Sequence, residues 1–437
     1  MIKPGKIKAL SVFLGLLIFF ISAIARINLA IPLFLIILYI YIKFRGLTSR
    51  NYSLLNIALL FLLSFTGSYL AIKRGWTIYC IPFSVAPMLA TILFGNQELS
   101  LLIILAVSFS LAAISGNFFS VTLLSLMSGI SASILVEGAR KRTTIIRAGV
   151  IIAVIQVLSL FFIEHLVIRA PLRYLILMLG GLFSGFIVLG ILPLFEYLFK
   201  TVTNISLLEL ADSRHPLLKR MAQEAAGTYH HSLVVGNLAE SACEAVGANA
   251  LLARIGAYYH DIGKLQKPGY FSENQDISES KHDALSPTMS KLVIMNHVKE
   301  GAELAKRYKL NPSIIDFILQ HHGKSLVYYF YRRALEGSQD EEEIQEEGFR
   351  YPGPKPKTKE TAIVLLADSV EAATRALVNH TAVKIEELVH KVINNKFIDG
   401  QLDECDLTLK DLEKISAVFI RILGGVYRSR LAYPERA

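Results

Sequence analysis

Histidine and aspartate gather in the second half of the chain in patterns that suit metal chemistry. Ten of the 11 histidines follow residue 200. His230 and His231 follow Gly227-Thr228-Tyr229. His260 and Asp261 lie in Tyr258-Tyr259-His260-Asp261-Ile262-Gly263-Lys264. His297 lies in Met295-Asn296-His297-Val298-Lys299, His321-His322 precede Gly323-Lys324, and Asp368 follows Leu365-Leu366-Ala367. One histidine alone is more often structural than functional. The adjacent pairs 230–231, 260–261 and 321–322 ask for more. Neighbours on a helix point about 100° apart, so one pair can serve two metals, or a metal and a substrate. Imidazole and carboxylate donors without thiolate suit iron, manganese or zinc, the first two especially well. The cysteines, Cys80, Cys243 and Cys405, are far apart and form no Cys-x-x-Cys, so neither a thiolate zinc site nor a disulfide framework is indicated.

These residues must be carried by helices. From Ala222 on, apolar residues recur at helical spacing, as in Val234, Leu238, Ala242 and Ala245, or Ile363, Leu366, Val370 and Ala373. Alternating strand patterns are scarce, so the soluble half reads as all-α. Three stretches interrupt it: about 267–287, the acidic run 338–348, and the Pro/Gly-rich 350–358. Long loops in a helical domain often border a binding site. Before residue 200 the chain is of another kind. The whole is 53% hydrophobic with mean hydropathy +0.46. Apolar runs occupy roughly 8–25, 28–44, 54–72, 78–95, 99–114, 118–136, 148–168 and 174–199. About 17–20 such residues cross a bilayer, so about eight helices are expected. The first run has no clear cleavage site, so it is not read as a signal peptide.

The net charge of +9 divides unevenly. Residues 1–199 carry 15 basic and 4 acidic residues, a net of +11; residues 200–437 carry 30 and 32, a net of −2. The basic excess lies in short loops, which is the pattern of an oriented membrane protein and not of a nucleic-acid binder. With eight spans, ten basic residues against five weigh toward an inside N-terminus, Lys3, Lys6 and Lys8 among the ten. Lys43, Arg45, Arg50, Arg140, Lys141, Arg142 and Arg147 would lie inside, against Arg26, Lys73, Arg74, Arg169 and Arg173 outside. The C-terminal half would then be cytoplasmic. Glu164, His165 and Glu196 lie near span ends and are read as interfacial, so a transporter is not supported.

His260-Asp261-Ile262-Gly263-Lys264 resembles the signature of HD-domain phosphohydrolases. The wider set is similar to one branch, the seven-transmembrane HD receptors that hydrolyse cyclic di-AMP in bacteria. That set comprises Gly227–Ser232, Ala257–Asp261, His297, His321-His322, Tyr351–Pro356 and Ala367–Ala372, with Leu207–Leu210 and His215–Leu218. The resemblance spans about residues 28–380. It implies metal ligands at His231, His260, Asp261, His297, His321, His322 and Asp368, with Asp261 bridging two divalent ions, manganese or iron. It implies catalytic roles for His260, Asp261 and Lys264. His230 is read as a substrate contact or an orienter of its neighbour, Lys264 and Lys324 as phosphate contacts, and Tyr351 as a base-stacking residue. Two cations can hold a phosphodiester and bring the pKa of a bound water from 15.7 to about 7. The implied reaction is attack by the activated hydroxide on cyclic di-AMP, giving pApA.

The implied domains are 1–199 transmembrane, 200–226 a juxtamembrane helical linker, 227–380 the HD domain, and 381–437 helical cover. The implied location is the bacterial inner membrane, with a second copy or a membrane partner for signal input. Two departures stand out. The branch carries a large extracellular domain between its first two spans, where this chain has little more than Arg26-Ile27. The Glu and Gly-Tyr-Pro features of cyclic-di-GMP enzymes are absent. The alternatives are an HD hydrolase of another nucleotide or a lipid phosphate, and a receptor that binds nucleotide without cleaving it.

Overall fold

A computed structural model describes residues 54–168, 170–275, 281–337 and 344–427. The expected runs 8–25 and 28–44, with the basic residues beside them, lie outside the described residues, as does most of the acidic run. The chain divides into two compact units, Met1–Ile205 and Ser206–Ala437. Every named element among the described residues is helical, and the β pairing found there is an isolated bridge between Leu326 and Arg350. The protein is all-α.

In the first unit α1 (Leu54–Lys73), α3 (Gln97–Ser115), α4 (Phe118–Val136), α5 (Arg142–Ile163) and α6 (Pro171–Phe199) follow the apolar runs. These five helices are long and apolar enough to cross a membrane. The run expected at 78–95 forms no single span. Pro82 cannot donate a helical hydrogen bond, and the segment divides into a 3₁₀ turn (Ile78–Cys80) and the ten-residue α2 (Val85–Phe94). At 1.5 Å per residue α2 is only about 15 Å long, half the hydrocarbon thickness.

Apolar side chains such as Leu172, Phe183 and Leu194 face outward on α6, as lipid-facing residues do. Its inner side packs against α5 through glycines. A Cβ on Gly181 would stand 2.5 Å from the Ala153 Cα, and one on Gly185 2.8 Å from the Ile145 carbonyl. Small residues four apart allow helices this close, so van der Waals contact replaces the hydrophobic drive that lipid removes. Buried hydroxyls pair across helices, Ser84 with Ser184 at 2.8 Å and Thr91 with Ser133 at 2.9 Å. Glu164 accepts from the Tyr174 hydroxyl (2.9 Å), and Glu196 from the Thr203 amide (3.1 Å) and hydroxyl. Both acids tie down helix ends.

The chain continues through α7 (Asn204–Leu210) into the second unit. There α8 (Pro216–Glu224), α9 (Ala226–Val246), α10 (Ala250–Tyr259), α11 (Pro287–Arg307), α12 (Pro312–Gln320), α13 (Tyr328–Gly337) and α14 (Lys359–Arg375) surround the candidate site. α15 (Ala382–Ile398) and α16 (Leu409–Val426) pack on α14 and on each other. α14 is the central helix: Ala362 through Ala367 and Val370 are fully buried. A helix apolar on all sides belongs in a core, so Asp368 and Glu371 on it are internal charges that need partners. The expected irregular stretch after residue 266 is two short 3₁₀ turns, Pro268–Tyr270 and Ser272–Asn274, leading to the Ser286 cap of α11. Residues 351–357 carry no helix.

Candidate metal centre

Five elements converge on one point. α9 delivers His231, and the end of α10 delivers His260 and Asp261. α11 delivers His297, the end of α12 delivers His321 and His322, and α14 delivers Asp368. Asp261 is 1% exposed and sits between two sets of donors. Its Oδ2 lies 3.2 Å from His260 Nε2 and 3.7 Å from His231 Nε2. Its Oδ1 lies 3.3 Å from His297 Nε2 and 3.6 Å from His321 Nε2. Asp368 reaches His231 Nε2 at 3.0 Å and His322 Nδ1 at 3.5 Å through different oxygens. Two groups result, His231/His260/Asp261/Asp368 and Asp261/His297/His321/His322, each with four ligand atoms within 4.8 Å of one another.

The outward nitrogens decide what the inward ones can do. His260 Nδ1 faces the Ala257 carbonyl at 2.6 Å, His297 Nδ1 the Ile294 carbonyl, and His321 Nδ1 the Ile318 carbonyl at 2.9 Å. A carbonyl only accepts, so each Nδ1 carries a hydrogen, and in the neutral ring each Nε2 presents a lone pair inward. The Nε2 atoms of His297 and His321 then face each other at 3.2 Å. Two lone pairs so close repel unless a positive centre lies between or beside them. His260 Nε2 and Asp261 Oδ1 are buried without a hydrogen-bond partner. Orphaned acceptors and apposed lone pairs are what a cation site leaves when only the protein is considered, and the residues fit two divalent ions that share Asp261.

The electrostatics agree. Burial pushes the Asp261 carboxyl up, but the charges of His260 and Lys264 outweigh it and hold it well below the usual carboxylate range. Burial lowers His260, yet Asp261 beside it raises the imidazole to about 10. Burial dominates at His297, which falls to about 4, and at His322, also pushed well down. His231 stands between two acids, Asp368 on Nε2 and Glu371 on Nδ1 at 2.5 Å, which raise it against burial.

A cavity of about 520 Å³ opens on this cluster, lined among others by His231, Lys264, Phe271, Glu273, His297, His322, Tyr351, Asp368 and Arg375. The other expected residues divide. Lys264 Nζ sits between Asp261 Oδ2 (2.8 Å) and Glu273 Oε1 (2.7 Å), above the Phe271 ring. It is neither solvated nor free. Tyr351 lines the cavity with one ring face stacked on His322 at 4.3 Å, so that face is not open to a base. His230 and Lys324 are exposed and absent from the lining. Facing apart from His231 along the helix, His230 turns to solvent.

Three residues were not anticipated. Glu371 and Arg375 follow Asp368 by three and seven positions, a spacing that puts them on one face of α14, so helical periodicity could have found them. Glu273, bound to Lys264 and to the Thr228 hydroxyl at 3.1 Å, lies in an irregular stretch with no periodicity to read.

Comparison with known proteins gives two family matches. Residues 11–203 match the family described as 7TM receptor with intracellular HD hydrolase, and residues 228–373 match the HD domain. The cyclic-di-AMP phosphodiesterase PgpH of Bacillus subtilis (strain 168) is 40% identical over 407 residues, 90% of this chain and 56% of that protein. The protein of the same description from Listeria monocytogenes serotype 1/2a (strain 10403S) is 39% identical over 82% of this chain and 50% of its own length. The chain thus spans about half the length of these curated relatives. The solved HD domain of L. monocytogenes phosphodiesterase PgpH in complex with cyclic-di-AMP is 46% identical, covering 50% of this chain and 100% of that one, with a TM-score of 0.47.

Proposed function

The chain belongs to the family of 7TM receptors with an intracellular HD hydrolase, and from that premise we propose that it is a membrane-anchored phosphodiesterase that hydrolyses cyclic di-AMP to pApA. The observation that carries this reading is Asp261, whose two oxygens face two separate histidine groups. Its relatives described as cyclic-di-AMP phosphodiesterases favour the substrate. His231, His260, Asp261 and Asp368 would hold one divalent cation, and Asp261, His297, His321 and His322 the other, with manganese or iron suited to this nitrogen–oxygen set. Such ions supply charge neutralisation for the phosphodiester and a water of lowered pKa.

The protein's own groups do the rest. Lys264 holds Asp261 ionised and adds positive charge beside the phosphate. Phe271 and Tyr351 give the cavity its apolar walls. Water adds across one phosphodiester bond, and the ring opens to the linear dinucleotide. In this reading residues 227–380 are the HD domain, 200–226 the linker and 381–437 its helical cover. The catalytic unit faces the cytoplasm from the bacterial inner membrane, where a nucleotide messenger is made available to it.

The test uses the full chain in detergent, stripped of cations and reloaded with Mn²⁺ or Fe²⁺, against a panel of cyclic dinucleotides, nucleotides and lipid phosphates. Cleavage of cyclic di-AMP to pApA is expected, with a loss of more than about a hundredfold in Asp261→Ala, beyond what outer-shell changes usually give. Turnover of another substrate in its place would reassign the specificity, and an Asp261→Ala protein as active as the parent would end the two-cation reading.

A further inference from the structure

The HD family match ends at residue 373, yet a contact on the ligand-bearing turn comes from well beyond it. The turn after α12 runs His321-His322-Gly323-Lys324-Ser325. It reverses at Gly323, whose φ is +54°, a conformation costly for side chains other than glycine. The backbone of Lys324 is gripped on both sides. Its N–H donates to Gln401 Oε1 at 2.7 Å, and its carbonyl accepts from Arg350 Nη1 at 3.0 Å. Gln401 is 1% exposed. Its Nε2 donates to Asp399 Oδ2 at 2.8 Å, and Asp399 Oδ1 accepts from Arg350 Nη2 at 2.9 Å. Lys324, Gln401, Asp399 and Arg350 therefore close a ring of hydrogen bonds that starts and ends on the backbone of one residue. A Cβ on Gly323 would stand 2.5 Å from Gln401 Oε1, so the glutamine fits here only against a glycine. One residue further on, the Ser325 hydroxyl accepts from Lys396 at 2.6 Å, and its carbonyl from the amide of Tyr351, the residue stacked on His322.

The geometry points to Gln401 as a positioning residue for the metal centre: the turn after α15 clamps the Gly323–Lys324 turn and thereby fixes where His322 presents Nδ1. This rests on the reading of the His/Asp cluster as a two-cation site. It gives residues 381–437 a role in the chemistry beyond covering a core. Gln401 touches neither cation nor substrate and acts through the backbone after His322. A side chain that only filled space would not need an acceptor aimed at one amide and a donor aimed at one carboxylate.

The test is a Co²⁺ titration of the cation-free full chain in detergent. Visible absorption reports the ligand geometry, metal analysis counts the bound ions, and thermal unfolding is measured alongside. Gln401→Met keeps the volume and removes both hydrogen bonds. Arg350→Lys, at a more exposed position, releases the Lys324 carbonyl without emptying any buried space. Gln401→Met is expected to weaken one of the two Co²⁺ equivalents roughly tenfold, in the range of outer-shell partners. Its absorption band should shift, and kcat should fall with KM little changed. Arg350→Lys is expected to move the same quantities in the same direction by less. A Gln401→Met protein that melts lower but binds two Co²⁺ with parental affinity and spectrum would overturn the inference and leave the two-cation site standing. A parent chain that takes up no Co²⁺ would overturn both.

Discussion

His231 is held by a carboxylate on each nitrogen, Glu371 on Nδ1 and Asp368 on Nε2. Such an imidazole attracts a proton strongly while no cation is present, and so does His260 beside Asp261, at about 10. A cation bound at Nε2 must displace that proton, because both use the same lone pair. His297 and His322, driven down by burial, are already neutral and release none. Cation binding to the stripped protein should therefore release about one to two protons at neutral pH. Affinity should rise with pH from the ordinary histidine range toward 10, since raising the pH removes the competitor. Calorimetry in two buffers of different ionisation enthalpy reads the released protons directly. Equal heats in both buffers would mean that no proton leaves. At this scale the ligand types were legible because histidine and aspartate in adjacent pairs are rare outside such sites. Their outward partners were not, because Ala257, Ile294 and Ile318 contribute only carbonyls, which every residue has.

The 3₁₀ turn Ile262–Gln266 sets how closely α10 and α11 can share Asp261 and His297. At its second residue, a Cβ on Gly263 would lie 1.8 Å from the His297 carbonyl and 2.6 Å from the Gly301 amide. Both neighbours are backbone and cannot rotate away, so Gly263→Ala must push α11 outward. Overpacking of this kind costs roughly 1–3 kcal/mol. The variant is expected to unfold several degrees lower when cation-free and to load fewer cations, because His297 moves with its helix. A parental midpoint with full loading would show that α11 yields without disturbing the site. The glycine could be read from the sequence as part of a motif; the contact that requires it, 34 residues away at His297, could not. The same limit explains the run at 78–95. Its composition is that of a span, and only Pro82, five residues in, marks the break that leaves α2 too short to cross alone. Helical periodicity in α9 and α14 was legible because each has a continuous buried face, centred on Val235, Leu238 and Ala242 in one and on Ile363 through Val370 in the other.

At the scale of the molecule, orientation can be argued without counting every span. α5 and α6 are an antiparallel pair, so the start of α5 and the end of α6 lie on one side. That side carries Arg140, Lys141, Arg142, Arg147 and Lys200, against Arg173 at the other end. It is also the side from which α7 leads into the second unit. Basic residues in short loops stay in the cytoplasm, so the catalytic unit should face the cytoplasm whether or not residues 78–94 cross. Cysteine labelling in intact cells tests it. In a Cys80→Ser background, Cys243 is fully buried and Cys405 lies in the unit expected inside. A membrane-impermeant maleimide should then modify Ile168→Cys, at an exposed position of the loop between α5 and α6, in intact cells, and Lys141→Cys only after the membrane is opened. The reverse pattern would put the His/Asp site outside the cell, away from any cytoplasmic nucleotide, and would defeat the proposed substrate while leaving the metal centre intact.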